Sequence, residues 1–367
     1  MIGPKAYINT KRLKNNFLTI RKSIGDKWLM VVVKANGYGH GALNIVKALK
    51  EEPNVIFCVF TIEEALEIRN SGISNDIFIF SKMHSSWLNI AYQNNFWINV
   101  TCFEDLNEIS EFYRINKGCP KIHLKFDTGM TRLGFDYKDA NKVFKVLDQK
   151  KYLPIEGIYS HLSTSDEGDL SFSLKQLDKF NNILNLSKKN GIKFKYIHCS
   201  NSGALLNLPN SFFNTVRVGM LLYGVSPSSE IKINKNLKPV MSFCGPIVYL
   251  RRVIKNTPVS YGGVYKTSRN TNIGVIQTGF ADGFPRQWYE RGFISYKGNP
   301  YRIAGRVCMD QLMVDFGDIK PDLGDEVLFF GDKDFNKISI ETIADDLSTT
   351  TYVLLTGING RTIKIAT

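Results

Sequence analysis

The chain has 367 residues, of which 43% are hydrophobic and 22% are charged, and its formal net charge is +13 at pH 7. This length exceeds what one hydrophobic core usually supports, so the sequence favours two domains, or a barrel with an additional unit. No apolar stretch reaches the length of a membrane span, and the first residues lack the basic, then apolar, pattern of a signal peptide. We therefore expect a cytoplasmic globular protein that does not enter a membrane.

The charged residues and the cysteines give no sign of a nucleic-acid or metal site. Lysines and arginines are spread along the whole chain, without a basic stripe interleaved with aromatic residues. We interpret the positive charge as a lysine-rich surface that would also attract an anionic substrate or cofactor. The cysteines form no CxxC pair, so we expect them to be free thiols that pack in the interior. They are Cys58, Cys102, Cys119, Cys199, Cys244 and Cys308.

Between residues 28 and 224, apolar β-branched runs alternate with amphipathic segments of helical period. The predicted strands are 28–33, 54–61, 76–81, 96–102, 121–127, 155–161, 194–199 and 214–218. The predicted helices between them include 42–51, 62–71, 104–116, 137–151 and 170–190. This repetition predicts an α/β fold, a (β/α)8 TIM barrel. An open doubly wound sheet is the alternative, but the glycines at 37, 39 and 41 do not match its dinucleotide-binding turn.

After Gly224 the pattern changes to short apolar runs separated by turn signals, which is typical of antiparallel β-structure. These runs are 246–253, 271–278, 292–295, 302–307, 311–316 and 326–330. We therefore predict a barrel domain over residues 1–230 and a mainly antiparallel β-domain over residues 231–367.

Lys34 stands at the joint between the first predicted barrel strand and a glycine-rich loop. The run 28–33 is apolar and β-branched, and the glycines of segment 35–41 cannot continue it. A lysine at the mouth of an apolar strand is partly desolvated, which lowers the pKa of its amine and makes it nucleophilic. Such an amine can form a Schiff base with an aldehyde. The alternative is a lysine that only extends from the sheet into solvent.

Other polar residues fall at the carboxyl ends of later predicted strands, which share one face of a barrel. His161 ends the sixth strand, and Arg217 lies in the apolar eighth strand, where a buried arginine needs an acceptor. Asn201 and Ser202 begin the helix after the seventh strand, where backbone N–H groups can bind phosphate. Together with the Lys34 amine, this combination indicates pyridoxal 5′-phosphate (PLP) as the ligand. The alternative for His161 is a histidine that only packs in the core. The alternative for Asn201 is a residue that only caps the helix.

Seven short segments follow one another in an order that is far more specific than any one of them. They are VKANGYGHG (33–41), DTGMTRLG (127–134), HCSNS (198–202), VRVG (216–219), SYG (260–262), GFADGFPR (279–286) and GRVCMDQ (305–311). With these segments the chain resembles, over essentially its whole length, the alanine racemase family of fold-type III PLP enzymes. The resemblance implies a cofactor site made of Lys34, Tyr38, His161, Asn201, Ser202, Arg217, Gly219 and Tyr352. Lys34 would bind PLP covalently, and Arg217 would donate a hydrogen bond to its ring nitrogen.

The resemblance also implies how racemisation occurs. A proton must leave one face of Cα and return on the other, and two opposed bases do this most simply. Lys34 would serve one face, and Tyr261 from the partner subunit of a homodimer would serve the other. An ordinary phenol is a weak base at neutral pH, so His161 and, behind it, Arg217 would activate this tyrosine.

The remaining residues that the resemblance implies surround the substrate. Arg132 and Met309 would contact the substrate. Lys125 would carry a carbamate group, and this anion would orient Arg132. The alternative is an ordinary Lys125 that pairs with Asp127. Asp310 would complete the pocket, and three charged residues would line its entrance: Asp166, Arg286 and Arg306. After Tyr352 the chain departs from the family pattern.

The sequence therefore predicts an alanine racemase that supplies D-alanine for peptidoglycan. A racemase of broader specificity, for serine or basic amino acids, is one alternative. A non-catalytic PLP-binding protein of the single-barrel type is another, but such proteins lack the second domain that carries Tyr261.

Overall fold

The computed structural model describes residues 3–367. In chain order the strands are β1 (Lys5–Ile8), β2 (Trp28–Val32), β3 (Val55–Val59), β4 (Ile77–Ile79), β5 (Phe96–Val100), β6 (Lys121–Asp127), β7 (Phe135–Asp136), β8 (Ile155–Tyr159), β9 (Tyr196–His198), β10 (Thr215–Val218), β11 (Met241–Val253), β12 (Pro258–Val259), β13 (Tyr265–Lys266), β14 (Thr271–Ile276), β15 (Phe293–Tyr296), β16 (Asn299–Ile303), β17 (Leu312–Asp315), β18 (Glu326–Lys333), β19 (Asn336–Ile338) and β20 (Ile363–Ala366). The α-helices are α1 (Thr10–Ile24), α2 (Lys34–Tyr38), α3 (Ala42–Leu49), α4 (Ile62–Asn70), α5 (Ser85–Gln93), α6 (Phe103–Asn116), α7 (Ala140–Asp148), α8 (Ser171–Lys189), α9 (Ser202–Asn207), α10 (Ile340–Asp346) and α11 (Thr351–Gly357).

The first sheet is the predicted barrel. Its strands are parallel and follow the order β10-β2-β3-β4-β5-β6-β8-β9, with the short β7 beside β6. The two ends of this order, β9 and β10, contact each other, so the sheet closes. Strands β3, β4 and β5 are buried at every residue, as expected when helices cover the outside of a parallel sheet. The barrel prediction is confirmed, and the open-sheet alternative is wrong.

The second sheet is mainly antiparallel, which also confirms the prediction. Its order is β19-β18-β15-β16-β17-β14-β11-β1-β20, and the long strand β11 pairs with β1, β14 and β18. Strand β1 comes from the start of the chain and pairs in parallel with β20 near its end. The division of the chain between residues 230 and 231 stays a prediction.

Three helices lie outside the predicted pattern: α1, α10 and α11. Helix α1 precedes the first barrel strand and buries Leu13, Phe17, Ile20 and Ile24, which are spaced three or four residues apart. Burying each such side chain stabilises the fold by roughly 1.5–3 kcal/mol relative to exposing it. The side chain of Asn9 caps this helix by accepting a hydrogen bond from the amide of Arg12 at 2.8 Å. Among the described residues, no helix combines the length and apolar character needed to cross a bilayer.

Candidate active site

A cavity of about 580 Å³ opens at the carboxyl ends of the barrel strands, and its size is typical of small-ligand sites. Eleven of the residues predicted from the sequence line it: Lys34, Tyr38, Lys125, Arg132, His161, Asp166, Asn201, Ser202, Arg217, Gly219 and Tyr352. Apolar and aromatic side chains complete the wall: Val32, Phe60, Phe80, Met130, Leu133, Tyr159 and Leu162. The barrel therefore brings together residues that are far apart in the sequence.

Lys34 begins a turn of left-handed backbone. Ala35, Asn36 and Gly37 have φ angles of 51°, 53° and 62°, which non-glycine residues rarely adopt. The turn is held by a hydrogen bond of 2.8 Å from the amide of Ala42 to Oδ1 of Asn36. Backbone strain of this kind persists where the surroundings enforce it, often at functional sites. Here it ends the strand abruptly, and both Lys34 and Tyr38 line the cavity.

The two lysines of the cavity both hold a proton less firmly than an ordinary lysine. Burial lowers the pKa of Lys34, and the positive charge of Arg132 lowers it further. Burial, then the charges of Arg132 and Arg217, lower the pKa of Lys125 to about 8. The Lys34 amine lies 5.9 Å from the centre of the Phe60 ring, which is part of the apolar wall. Both amines therefore lose a proton more easily than an ordinary lysine, as a nucleophilic role requires.

Three hydroxyl groups and one backbone amide gather on one side of the cavity; we call Tyr38, Tyr352, Ser202 and Gly219 the hydroxyl cluster. The rings of Tyr38 and Tyr352 are 5.8 Å apart, and the amide of Gly219 donates to Oγ of Ser202 at 3.1 Å. A Cβ at Gly219 would stand 2.9 Å from the Tyr38 hydroxyl, so the glycine permits this close approach. Hydroxyl and amide donors of this kind suit a phosphate group.

Arg217 is buried in the barrel and its terminal nitrogens are engaged. One of them donates to Nδ1 of His198 at 2.5 Å. The other donates to the carbonyls of Ser160 and Cys199 at 2.8 and 3.1 Å and to Nδ1 of His161 at 3.2 Å. The Nε–H group makes none of these bonds, so it remains as a donor for a ligand in the cavity.

Asn201 and Asp127 mainly hold the loops around the cavity. Asn201 caps α9 by accepting from the amide of Ala204 at 3.0 Å, while its Nδ2 donates to the carbonyl of Leu162 at 3.0 Å. Asp127 accepts hydrogen bonds from the backbone amides of Gly129, Met130 and Arg132 at 2.8, 2.9 and 3.1 Å. The negative charge of Asp127 also acts on Lys125, where it opposes the lowering of the pKa; the alternative of a Lys125 paired with Asp127 stays a prediction.

The other predicted site residues lie in the second domain and do not line this cavity: Tyr261, Arg286, Arg306, Met309 and Asp310. They are nevertheless close to one another. Oγ of Ser260 bonds to the carbonyl of Arg306 at 2.5 Å, and the amide of Ala281 bonds to the carbonyl of Met309 at 3.0 Å. Tyr261 and Met309 are 65% and 56% exposed, although both carry large apolar surfaces.

The sequence reasoning missed three residues: Tyr159, which lines the cavity, and His198 and His123, which lie beneath it. Tyr159 stacks on His198 with ring centres 4.7 Å apart, and Arg217 lies 5.4 Å from its ring. His123 contacts His198 at 2.9 Å. Strand alternation offered a signal, because His123 stands two residues before Lys125 on β6 and so points to the same side.

Comparison with known proteins agrees with this geometry. Two family models match the chain: "Alanine racemase, N-terminal domain" over residues 8–227 and "Alanine racemase, C-terminal domain" over residues 240–366. The chain belongs to the alanine racemase family. The resemblance noted in the sequence is therefore confirmed.

Curated alanine racemases are similar over nearly the whole chain. Alanine racemase 2 of Caldanaerobacter subterraneus subsp. tengcongensis is 34% identical over 98% of this chain and 94% of its own length. The alanine racemase of Carboxydothermus hydrogenoformans is 35% identical over 98% of both chains. These relatives support an enzyme that racemises alanine.

Solved structures of alanine racemases share the fold. That from Streptomyces lavendulae has a TM-score of 0.93 and 31% identity, covering 100% of this chain and 97% of its own. The alanine racemase from Bacillus anthracis with bound L-Ala-P has a TM-score of 0.90 and 30% identity, covering 99% of this chain and 94% of its own.

Proposed function

We propose that this enzyme interconverts L- and D-alanine with PLP and two opposed bases, Lys34 and Tyr261 of the partner subunit. The observation that carries the proposal is the convergence of a desolvated Lys34 amine, the hydroxyl cluster and Arg217 on one cavity. An aldehyde, a phosphate and a ring nitrogen are the three groups that these residues would bind, and PLP contains all three.

The residues of the cavity fit PLP. Lys34 would attack the aldehyde, since its lowered pKa leaves more of the amine unprotonated at neutral pH. Ser202, Tyr38 and Tyr352 would donate to the phosphate, and Nε of Arg217 would donate to the ring nitrogen. When bound, PLP would supply an electron-withdrawing ring that stabilises negative charge on Cα. Arg217 would retain its own proton, because a guanidinium is a very weak acid, and this would moderate the electron withdrawal.

The two bases would work on opposite faces of Cα. Lys34, once its amine is free, would exchange a proton with one face, and Tyr261 of the partner subunit would exchange one with the other. The exposure of Tyr261 and Met309 supports this arrangement, since a partner subunit would cover both side chains. We therefore propose a homodimer in which each cavity is completed by the second domain of the partner.

His161 would assist the tyrosine. Burial, and then the charge of Arg217, hold the pKa of His161 well below its ordinary value, so the ring is neutral. Arg217 can only donate, and it contacts Nδ1 of His161. The proton of His161 therefore sits on Nε2, from which it would donate to the phenolate of Tyr261 and stabilise that charge.

Arg132 would bind the carboxylate of alanine, with Met309 of the partner subunit limiting the size of the side chain. Lys125 is buried among positive charges, and a carbamate formed from its amine and CO₂ would replace a cation by an anion there. This carbamate would orient Arg132. Four charged residues would shape the rest of the pocket and its entrance: Asp310, Asp166, Arg286 and Arg306.

Mixing two inactive variants tests the shared site. Lys34→Ala and Tyr261→Phe should each abolish most activity alone. After subunit exchange, a mixed dimer has one cavity with both residues intact, so activity should return in part. Each variant taken through the same exchange alone is the control. If verified mixed dimers stay inactive, the two bases do not come from different subunits.

A substrate panel tests the assignment to alanine. Alanine should racemise much faster than serine, lysine or arginine, whose side chains are larger or charged. We further propose that the enzyme acts in the cytoplasm and supplies D-alanine for peptidoglycan, a role that family membership supports. Depletion of the enzyme should then create a requirement for added D-alanine.

A further inference from the structure

A chain of hydrogen bonds runs from Arg217 down into the barrel. Arg217 donates to Nδ1 of His198 at 2.5 Å, and Nε2 of His198 contacts Nδ1 of His123 at 2.9 Å. All three side chains are buried, with exposures of 3%, 0% and 0%. His123 lies one layer below the cavity and does not line it.

The direction of every bond in this chain follows from Arg217. A guanidinium has no acceptor, so Nδ1 of His198 must be unprotonated. Burial, followed by the charge of Arg217, holds the pKa of His198 well below its ordinary value, so the ring is neutral and its proton sits on Nε2. That N–H donates to Nδ1 of His123, which must therefore be an acceptor as well.

His123 closes the chain at some cost to the fold. Burial lowers its pKa to about 3, so it too is neutral and carries its proton on Nε2. This nitrogen is buried without a hydrogen-bond partner among residues 3–367, and an unsatisfied buried donor is destabilising. A Cβ at Gly157 would stand 2.3 Å from Nδ1 of His123, so a glycine leaves the space that the imidazole occupies.

An apolar side chain at position 123 would avoid the unsatisfied donor. The site instead holds an imidazole whose one acceptor faces His198, between the rings of Trp97 and Phe78 at 5.1 and 4.8 Å. Without that acceptor, the Nε2–H group of His198 would be buried without a partner, and Arg217 alone would hold the ring. The ring could then turn, and Nδ1 would no longer be held in place for Arg217.

We propose that His123 is a positioning residue, which holds the ring of His198 in place and through it the orientation of Arg217 at the cofactor site. This inference rests on the proposed function for its effect on catalysis, but the tautomers themselves do not depend on turnover. The two can therefore be tested separately.

Nitrogen-15 NMR of the histidine rings tests the tautomers in full-length protein loaded with PLP. The chain has five histidines, so single-residue variants assign the signals. His123 and His198 should both carry the proton on Nε2 and show an unprotonated Nδ1. A proton on Nδ1 of either ring would overturn the proposal, whether or not the protein racemises alanine.

Three variants test the consequence for Arg217. His123→Leu removes the acceptor, and kcat/KM for alanine should fall about tenfold, as when the partner of a ligand-binding side chain is lost. His123→Asn places an amide oxygen where Nδ1 stood, and should restore kcat/KM to within about twofold of wild type. Trp97→Phe removes a neighbouring buried N–H outside the chain, and should leave kcat/KM unchanged.

The absorbance of bound PLP distinguishes positioning from a general packing defect. It should shift in His123→Leu and remain as in wild type in Trp97→Phe. If His123→Leu fails to fold, His123→Asn decides, because a loss of kcat/KM together with a shifted absorbance in this variant would overturn the proposal. Equal losses in the Leu and Asn variants, with the His198 tautomer unchanged, would overturn the proposal.

Discussion

The backbone amide of Gly219 donates a hydrogen bond of 3.1 Å to Oγ of Ser202. This bond joins the residue after the barrel strand β10 to the start of α9, the helix that follows the neighbouring strand β9. Because the oxygen of Ser202 accepts from Gly219, its own proton remains available for an anion in the cavity. Ser202 therefore links these two parts of the barrel, and in the proposed site its hydroxyl could still donate to the phosphate.

Ser202→Ala should weaken PLP binding. A hydrogen bond to a charged group contributes about 1.5–3 kcal/mol, so the Kd should rise about ten- to hundredfold. Titration followed by the absorbance of bound PLP measures it. Ser200→Ala is the matched control, because Oγ of Ser200 is buried, lies outside the cavity and has no partner among residues 3–367. Equal effects of the two substitutions would remove Ser202 from the phosphate site.

Arg361→Ala should destabilise the second domain. Arg361 bonds to the buried carboxylate of Asp282 at 3.1 Å and to Asp310 at 2.8 Å. Its loss leaves the buried Asp282 without a cation, and the free energy of unfolding should fall by more than when an exposed ion pair is lost. The KM for alanine should rise, since Asp310 adjoins Met309. Urea unfolding and steady-state kinetics measure both effects.

An exposed ion pair provides the comparison for Arg361. Arg252 and Asp318 are 3.2 Å apart with side chains 51% and 68% exposed, and Arg252→Ala should cost at most about 0.5 kcal/mol. If Arg361→Ala lowers the free energy of unfolding no more than Arg252→Ala does, the contacts of Arg361 with Asp282 and Asp310 do not stabilise the second domain.

Lys125→Met should stabilise the PLP-free protein at neutral pH in CO₂-free buffer. The pKa of Lys125 is lowered from 10.5 to about 8, so below pH 8 the folded protein bears the full cost of a buried cation. Between about pH 8 and 10.5 the unfolded chain binds more protons than the folded one, and the stability of wild type rises with pH. The variant should thus exceed wild type by about 1–3 kcal/mol at pH 7, and by less near pH 10.

Urea unfolding at both pH values measures this difference. Lys121→Met is the control, since its side chain is 42% exposed and its loss should change the free energy of unfolding by no more than about 0.5 kcal/mol. If Lys125→Met were less stable than wild type at both pH values, the Lys125 amine would have to interact with an anion.

The barrel could be predicted because its signal is local. Apolar β-branched runs mark each strand, and the observed bounds of β6 coincide with the predicted run 121–127. Strand β1 carried no such signal, since it has four residues and partners more than 230 positions away. Helices α10 and α11 are seven residues each, too short to show two turns of clear periodicity among the surrounding strands.

The site could be predicted where chemistry requires a rare residue in an apolar setting. Lys34 and Arg217 stand out in this way, because each interrupts or ends a buried strand. Strand alternation could place His123 on the same side as Lys125, but its bond to His198 could not be predicted, since it joins residues 75 positions apart and depends on how the strands align. The left-handed turn after Lys34 was likewise hidden, because Ala35 does not ordinarily adopt a positive φ.

Exchange of the Cα proton in heavy water, followed by chiral analysis, tests the two-base account most directly. With PLP and wild-type enzyme, L-alanine should exchange its Cα proton and yield D-alanine. Tyr261→Phe should slow proton abstraction from L-alanine far more than from D-alanine in single-turnover exchange, because Lys34 still serves the other face. Equal losses from both enantiomers would contradict the assignment of Lys34 and Tyr261 to opposite faces.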